Sequence, residues 1–368
     1  MYLFFINLAV ILGLAIAFPE EANGLEKGGR RSRYLLFALG YLTLLAILRS
    51  PAVGTDTARY CRIFEKVGKQ KSALYYLLHS STEKGFLVYC LLLYRICPGE
   101  QFFLMVTGLF LMGTMYWFFG KYSRIPWLSV FLFFTLMLFD FFLSGMRQAM
   151  AICILLYAYD RMLERKPVAF CVLVVTAALF HTSAIVFLAA YPISMLRSTK
   201  KFMLISGAVA LAAAVLWQVL LPVVLKLFPK YDYYTGDEEF SSGGILAVTM
   251  KGLVYLTALG AGELLWNRKN RKMRTLGEEM ELRLVWVLPL IAAVALGSTV
   301  VSRFFRYFEP FLCLYLPNVL RSQKTRKGRT CITILLVAAF TIYASVIQIL
   351  RTPQWQSTYP FTFFWTAP

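Results

Sequence analysis

Residues 101–119 read QFFLMVTGLFLMGTMYWFF and carry no charged side chain. A run of this length and apolarity suits a helix crossing a bilayer, which needs about 20 residues. In lipid every backbone N–H and C=O must find a partner inside the protein, so only helices and closed barrels span. The apolar–polar alternation of a barrel strand is absent here, which leaves the helix.

The same texture extends in both directions. Further spans are expected near 1–19, 34–48, 85–97, 127–143, 147–161, 168–181, 183–196, 203–221, 245–265, 284–300, 304–320 and 331–350. The chain has 368 residues, of which 59% are hydrophobic and 15% charged. A soluble domain carries about 25% charged residues. Mean hydropathy is +0.64. The expected fold class is therefore all-α, a polytopic transmembrane helix bundle of about 12–14 spans. No Lys or Arg precedes the first apolar run, so 1–19 reads as a span and not as a cleaved signal. No internal repeat or low-complexity tract interrupts the chain, and residues 1–368 read as one membrane domain. The seven cysteines show no metal-ligand spacing and read as small buried hydrophobes.

The net charge of +19 would suggest nucleic acid in a soluble protein. Here the basic residues gather in short loops, as cytoplasmic loops do, and nucleic acid is not an expected partner. Loops 161–166, 197–201, 266–283 and 321–330 are all basic, and an even number of spans separates each from the next. That places 144–148, His181, loop 229–244 and 302–309 on the outer side. The N-terminal half is less regular. Loop 27–33 belongs inside and segment 49–84 outside. Counting 85–97 and 101–119 as two crossings then leaves an outer Arg147 one crossing out of step. One of these two pieces is expected to be re-entrant, or the pair to form an unequal hairpin. In 49–84, Tyr60, Ile63, Phe64 and Val67 have helical spacing, so part of this external segment reads as an amphipathic helix. Loop 229–244, rich in Tyr, Gly and acid, reads as a second external loop.

Polar groups at the outer ends of spans are the candidates for chemistry, because ionisable residues near lipid are costly. Arg49 is followed by Gly54-Thr55-Asp56 and Tyr60; Asp56 suits either a helix cap or a carboxylate at the mouth of a pocket. Glu83 stands where a helix begins, either complementing its dipole or serving as a general base for a sugar hydroxyl. Arg147 and Gln148 open an otherwise apolar span. They suit snorkelling to the interface, or a phosphate gripped by the guanidinium and the helix N-terminus. His181 is one of only two histidines and suits a hydrogen-bonded interface residue, a proton shuttle or a phosphate contact. Arg303, Arg306 and Glu309 share one helical face beside Tyr307. They suit an internal Arg306–Glu309 pair, or two cations for a diphosphate with aromatic faces for sugars.

Five motifs in this order resemble the EpsG family of Wzy-like bacterial polysaccharide polymerases. They are Arg49 with Gly54-Thr55-Asp56 and Tyr60; Glu83-Lys84-Gly85-Phe86; Arg147-Gln148-Ala149-Met150-Ala151; Phe180-His181-Thr182-Ser183-Ala184; and Arg303 with Arg306-Tyr307-Phe308. The resemblance implies a multi-pass protein of the bacterial cytoplasmic membrane. It implies polymerisation of undecaprenyl-diphosphate-linked oligosaccharide repeats into exopolysaccharide, capsule or O-antigen, with a flippase and a chain-length regulator as pathway partners. Under that resemblance Arg147, Arg303 and Arg306, with Arg49 next, are expected to stabilise the diphosphate leaving group, assisted by Gln148 and Tyr307. Glu83, Asp56 or His181 is expected to take the acceptor proton. No metal ligand set is evident and no cofactor is expected. A flippase for the same lipid-linked sugar, or a ligase that moves finished glycan, would use similar cations; the flippase should show two similar halves or broken-helix pairs.

Overall fold

A computed structural model describes residues 2–24, 32–196, 199–216, 238–265, 275–296, 299–323, 325–351 and 356–366. Among these there is no β-strand, and the protein is the all-α membrane bundle expected. Loop 27–33 lies outside the described residues up to position 31, and loop 229–244 up to position 237; from Glu238 the latter is already helix. Three helices are long and apolar enough to cross a membrane, or four if one bent pair is counted as a single span. Four more apolar helices are shorter, at 10–17 residues.

The chain forms two compact units, 1–188 with 324–368, and 189–323. The first contains α1 (Tyr2–Ala17), α2 (Pro19–Ala22), α3 (Arg33–Leu48), α4 (Thr57–Gly68), α5 (Ala73–His79), α6 (Lys84–Ile96) and α7 (Glu100–Tyr122). It continues with α8 (Pro126–Thr135), α9 (Leu138–Ser144), α10 (Met146–Leu163), α11 (Pro167–Phe180) and most of a 3-10 turn (Thr182–Ala189). After the second unit the chain returns to it with a helix at Arg326–Arg351, numbered α17 below. Local signals set several starts. Ser32 caps α3 by accepting from the Leu35 N–H, and Pro126 and Pro167 occupy the first turns of α8 and α11, where their missing N–H costs nothing.

Side-chain contacts fix which helix ends lie together. Lys121 and Tyr122, at the end of α7, both bind Asp160 near the end of α10, so α7 and α10 run the same way. Gln101, at the start of α7, donates to the Ile47 carbonyl at the end of α3. Arg49, just past α3, donates to the Leu143 carbonyl near the end of α9 at 3.3 Å. The ends of α3 and α9 and the starts of α7 and α10 therefore share one end of this unit. The opposite end carries Lys121, Arg124, Arg161, Arg165 and Lys166.

The expected span at 85–97 is corrected by α6. It is 13 residues long, about 20 Å against a hydrocarbon thickness of about 30 Å, and is not among the apolar candidates for crossing. Its partners gather at the Arg147 end. Phe86 packs on Tyr60 at 5.6 Å and Tyr94 on Phe64 at 5.3 Å, both on the amphipathic α4. Tyr89 bonds Thr107 in the early turns of α7 at 2.8 Å, and a Cβ on Gly85 would stand 2.8 Å from Leu179 at the end of α11. Thus α6 lies with α4 over that end and does not cross, which removes the one-crossing mismatch. Phe64, Phe86 and Phe103 are fully buried in this layer. Each contributes on the order of 2 kcal/mol, because here apolar surface is withdrawn from water and not from lipid.

The pair α8–α9 is bent by 58°. Met137 sits at the break in the left-handed region with φ 59°, and the buried Asp140 just beyond it accepts from Gln348 of α17 at 2.8 Å.

The second unit holds α12 (Ala190–Met195), α13 (Thr199–Val215), α14 (Glu238–Leu265), α15 (Leu276–Ala295), a 3-10 turn (Thr299–Phe304) and α16 (Phe305–Arg321). Helices α13, α14 and α16 pack on α15. The expected basic loop 266–283 is shorter than its sequence suggested. A Thr275–Glu278 capping box starts α15 at Leu276. Arg283 is consequently a helical residue, 2% exposed, bonded to the Ile193 carbonyl at 3.2 Å and to Glu279 at 2.8 Å.

Candidate functional site

Four helix termini meet at the Arg147 end of the first unit. Glu83 is the residue preceding α6, and its carboxylate makes no capping bond to that helix. It turns toward α10, where Arg147 stands in the first turn and binds Glu83 Oε2 through Nη1. The two side chains are 6% and 15% exposed. Thr182 donates to Glu83 Oε1 at 3.4 Å, and His181 Nδ1 lies 3.9 Å from the same oxygen. His181 ends α11, and the residue after it opens the 3-10 turn. The Phe180-His181-Thr182 break in the helix is thus what brings these side chains to Glu83.

The Arg147 guanidinium lies over the Tyr60 ring at 5.4 Å and the Phe86 ring at 5.9 Å. An aromatic face attracts a guanidinium without using up its N–H donors. Arg147 Nε is buried without a hydrogen-bond partner among the described residues. Burial pushes the Tyr60 phenol up to about 12, so this ring is neutral at ordinary pH.

Asp56 stands immediately before α4, within Coulombic reach of Arg147 and Tyr60. It occupies the cap position, yet its carboxylate accepts no cap hydrogen bond. The capping role that its position suggests is not the one it performs. Among the described residues near Arg147, one carboxylate is therefore bonded to the cation and a second is not.

Arg49 behaves differently from the expectation of a substrate contact. It is 0% exposed and donates to the Ala46 carbonyl at 2.6 Å, the Leu143 carbonyl at 3.3 Å and the Met146 sulfur at 3.0 Å. Thr57 donates to the same Leu143 carbonyl at 3.1 Å. Gly54 fits because of its φ of +98°, and because a Cβ there would meet the Leu143 oxygen at 2.9 Å. The 49–57 segment is thereby moulded around the elbow that precedes Arg147. Gln148, next to Arg147, is 8% exposed.

The other predicted cations belong to the second unit. Arg306 pairs with Glu309 at 2.8 Å, the internal pair its spacing allowed. Glu309 also accepts from Lys251 at 3.2 Å and Tyr255 at 2.5 Å, and is 1% exposed. Lys251 and Tyr255 were not singled out in the sequence, although a lone Lys inside the apolar run 245–265 is the signal that would have found them. Asp140, a lone acid in 127–143, carried the same signal. Tyr307 is 1% exposed, so its ring is core in this arrangement. Arg303 is half-buried on the 3-10 turn before α16.

The family model described as EpsG family matches residues 32–363, nearly the whole chain and every residue of the constellation above. The chain belongs to the EpsG family. No curated protein and no solved structure matches it. Membership agrees with a polysaccharide-polymerase-like role for this EpsG-family membrane protein, and all five motifs that suggested the family lie inside the matched region.

Proposed function

We propose that this protein polymerises undecaprenyl-diphosphate-linked oligosaccharide repeats at the outer face of the bacterial cytoplasmic membrane. The observation that carries the reading is the cluster of Arg147, Glu83, Thr182 and His181 where four helix termini meet, with Asp56 beside it and bonded to none of them. The cluster lies at the end of its unit away from the basic 161–166 loop, which the positive-inside rule assigns to the cytoplasm.

In the proposed reaction a hydroxyl of the incoming lipid-linked repeat attacks the anomeric carbon of the growing glycan. A new C–O glycosidic bond forms, the anomeric carbon–phosphate oxygen bond breaks, and the lipid diphosphate departs with that electron pair. Charge develops on the departing oxygen. Arg147, at the N-terminus of α10, supplies a cation and helix N–H groups for it. Glu83 holds Arg147 in place and keeps the guanidinium stacked on Tyr60 and Phe86. Asp56, whose carboxylate is bonded to no cation among the described residues, takes the hydroxyl proton, and His181 is its rival. Arg303 and Arg306, which belong to the second unit, remain candidate diphosphate contacts on their own.

The test uses the purified full-length protein in proteoliposomes with a lipid-diphosphate-linked oligosaccharide. A ladder of glycan lengths with stoichiometric release of lipid diphosphate is expected, insensitive to chelators. Translocation of the oligosaccharide without chain growth would instead make the protein a flippase. Transfer to a non-carbohydrate-linked acceptor in a single step would make it a ligase.

A further inference from the structure

The C-terminal segment 356–366 lies along the same 49–57 loop that shapes the site. Gly54 N donates to the Ser357 carbonyl at 2.9 Å and Thr55 N to the Gln356 carbonyl at 3.0 Å. Ser50 N donates to the Thr362 carbonyl at 2.9 Å, and Phe364 N to the Leu48 carbonyl at 2.9 Å. Arg49 and Phe363 form an antiparallel backbone bridge. The Ser50 and Thr362 hydroxyls bond at 2.7 Å. Between these points Tyr359 is buried, its hydroxyl accepting from Asn7 of α1 at 3.2 Å, while Asn7 in turn accepts from Tyr41 of α3 at 2.6 Å. The tail is thus pinned at both ends of the loop and, in the middle, to α1 directly and to α3 through Asn7.

These bonds involve the backbone of the loop. Loop N–H groups at 50, 54 and 55 have no helix or sheet of their own, and an unpaired buried N–H is costly. The tail supplies their acceptors. From the other side, Arg49 and Thr57 tie the loop to the Leu143 carbonyl, four residues before Arg147. A chain of short contacts therefore leads from the tail through the loop to Asp56 and to the start of α10.

We infer that residues 356–366 are a positioning strap for the site, holding Asp56 at a fixed place beside Arg147. This rests on the polymerase reading above, and it adds to the active constellation a segment that touches neither sugar nor diphosphate. Preorganisation of this kind matters because misplacement of a reacting group by about 1 Å costs up to about 10²-fold in rate.

The experiment combines one backbone change with one cross-link in the full-length protein. Phe364→Pro removes the N–H that donates to the Leu48 carbonyl; Phe364→Ala keeps it, and the side chain is 45% exposed. Ser50→Cys with Thr362→Cys, oxidised by copper–phenanthroline, replaces the hydroxyl contact with a covalent bond. Cross-link formation is read by mass, independently of activity. The strap predicts efficient cross-linking and a roughly tenfold or larger fall in kcat for F364P, with KM for the lipid-linked donor nearly unchanged. It predicts wild-type activity within about twofold for F364A, and recovery of F364P when the cross-link is closed, reversed by reductant. Failure of the two cysteines to cross-link overturns the placement of the tail. Full activity of F364P, or its inactivity with the cross-link closed, overturns the positioning role. Cross-linking of the S50C/T362C protein, with no polymer made by the unsubstituted protein, sinks the polymerase reading, and the catalytic part of this inference with it, while the contact itself stands.

Discussion

Replacing Arg147 separates what the site does for stability from what it does for chemistry. Arg147→Met removes the cation from Glu83, whose side chain is only 6% exposed, and leaves a buried carboxylate with Thr182 at 3.4 Å and His181 at 3.9 Å but without its arginine. Removing one partner of a buried pair costs about 3–5 kcal/mol, because the remaining charge is uncompensated. The 15% exposure of Arg147 argues for the lower part of that range. Replacing both partners, Arg147→Met with Glu83→Gln, leaves no orphan charge and should recover most of this loss, to within about 1–2 kcal/mol of wild type. Activity should not follow stability. A preorganised charge stabiliser contributes about 10²–10³-fold in rate, so both variants should lose polymer and accumulate single repeats on lipid. The assays are chemical or thermal unfolding in detergent micelles and a glycan-length gel from cells carrying each variant. A double variant that regains both stability and full-length polymer would refute the reasoning, since Arg147 would then be a structural ion-pair partner only. So would a single variant as stable as wild type.

Further outcomes follow from the same geometry. Asp56→Asn should leave unfolding within about 0.5 kcal/mol of wild type, since the carboxylate makes no cap bond, while chain growth stops; retained growth moves the base to His181. Gly85→Ala should lower activity severalfold and cost about 1–3 kcal/mol, because its Cβ would meet Leu179 Cβ at 2.8 Å and the Leu179 carbonyl at 2.9 Å between Glu83 and His181. Glu309→Leu should cost about 3–5 kcal/mol by leaving Lys251 and Arg306 buried together, and adding Lys251→Met should restore part of it, read by unfolding of the double variant. Cysteines placed at positions 56 and 98 should react with an impermeant thiol reagent from the same side of the membrane, and one at 166 from the other.

The helices were largely legible because apolarity is a local property. Runs 34–48, 101–119, 147–161 and 168–181 match α3, α7, α10 and α11 to within three residues at each end. What hydropathy could not convey was whether an apolar helix crosses. Residues 84–96 are greasy enough to look like a span, but one face of the helix packs on Phe64 and Phe103 through Tyr94 and Phe86, a partnership that only the tertiary structure displays. The site was legible as residue types and not as roles. Glu83, Arg147 and His181 do converge, as their shared topological side allowed. Arg49 looked the same in sequence as Arg147, yet one guanidinium faces backbone carbonyls and the other faces a carboxylate and two rings. Which of these an arginine does depends on the elbow at 143–146, whose partners lie about ninety residues away in the chain. The tail left no sequence signal, because backbone hydrogen bonds can be made by almost any residue.

The position of α6 has a consequence for how the chain is made. If it does not cross, everything from Arg49 to Gly99 must pass through the membrane as one stretch before α7 can enter. That stretch carries eight Lys and Arg against three carboxylates, a cargo that resists export under the usual charge bias. Opposing inside charge lies on both sides of it, in loop 27–33 before α3 and in 161–166 at the end of α10, so the export of this stretch is set by the basic loops that flank it and not by its own charge.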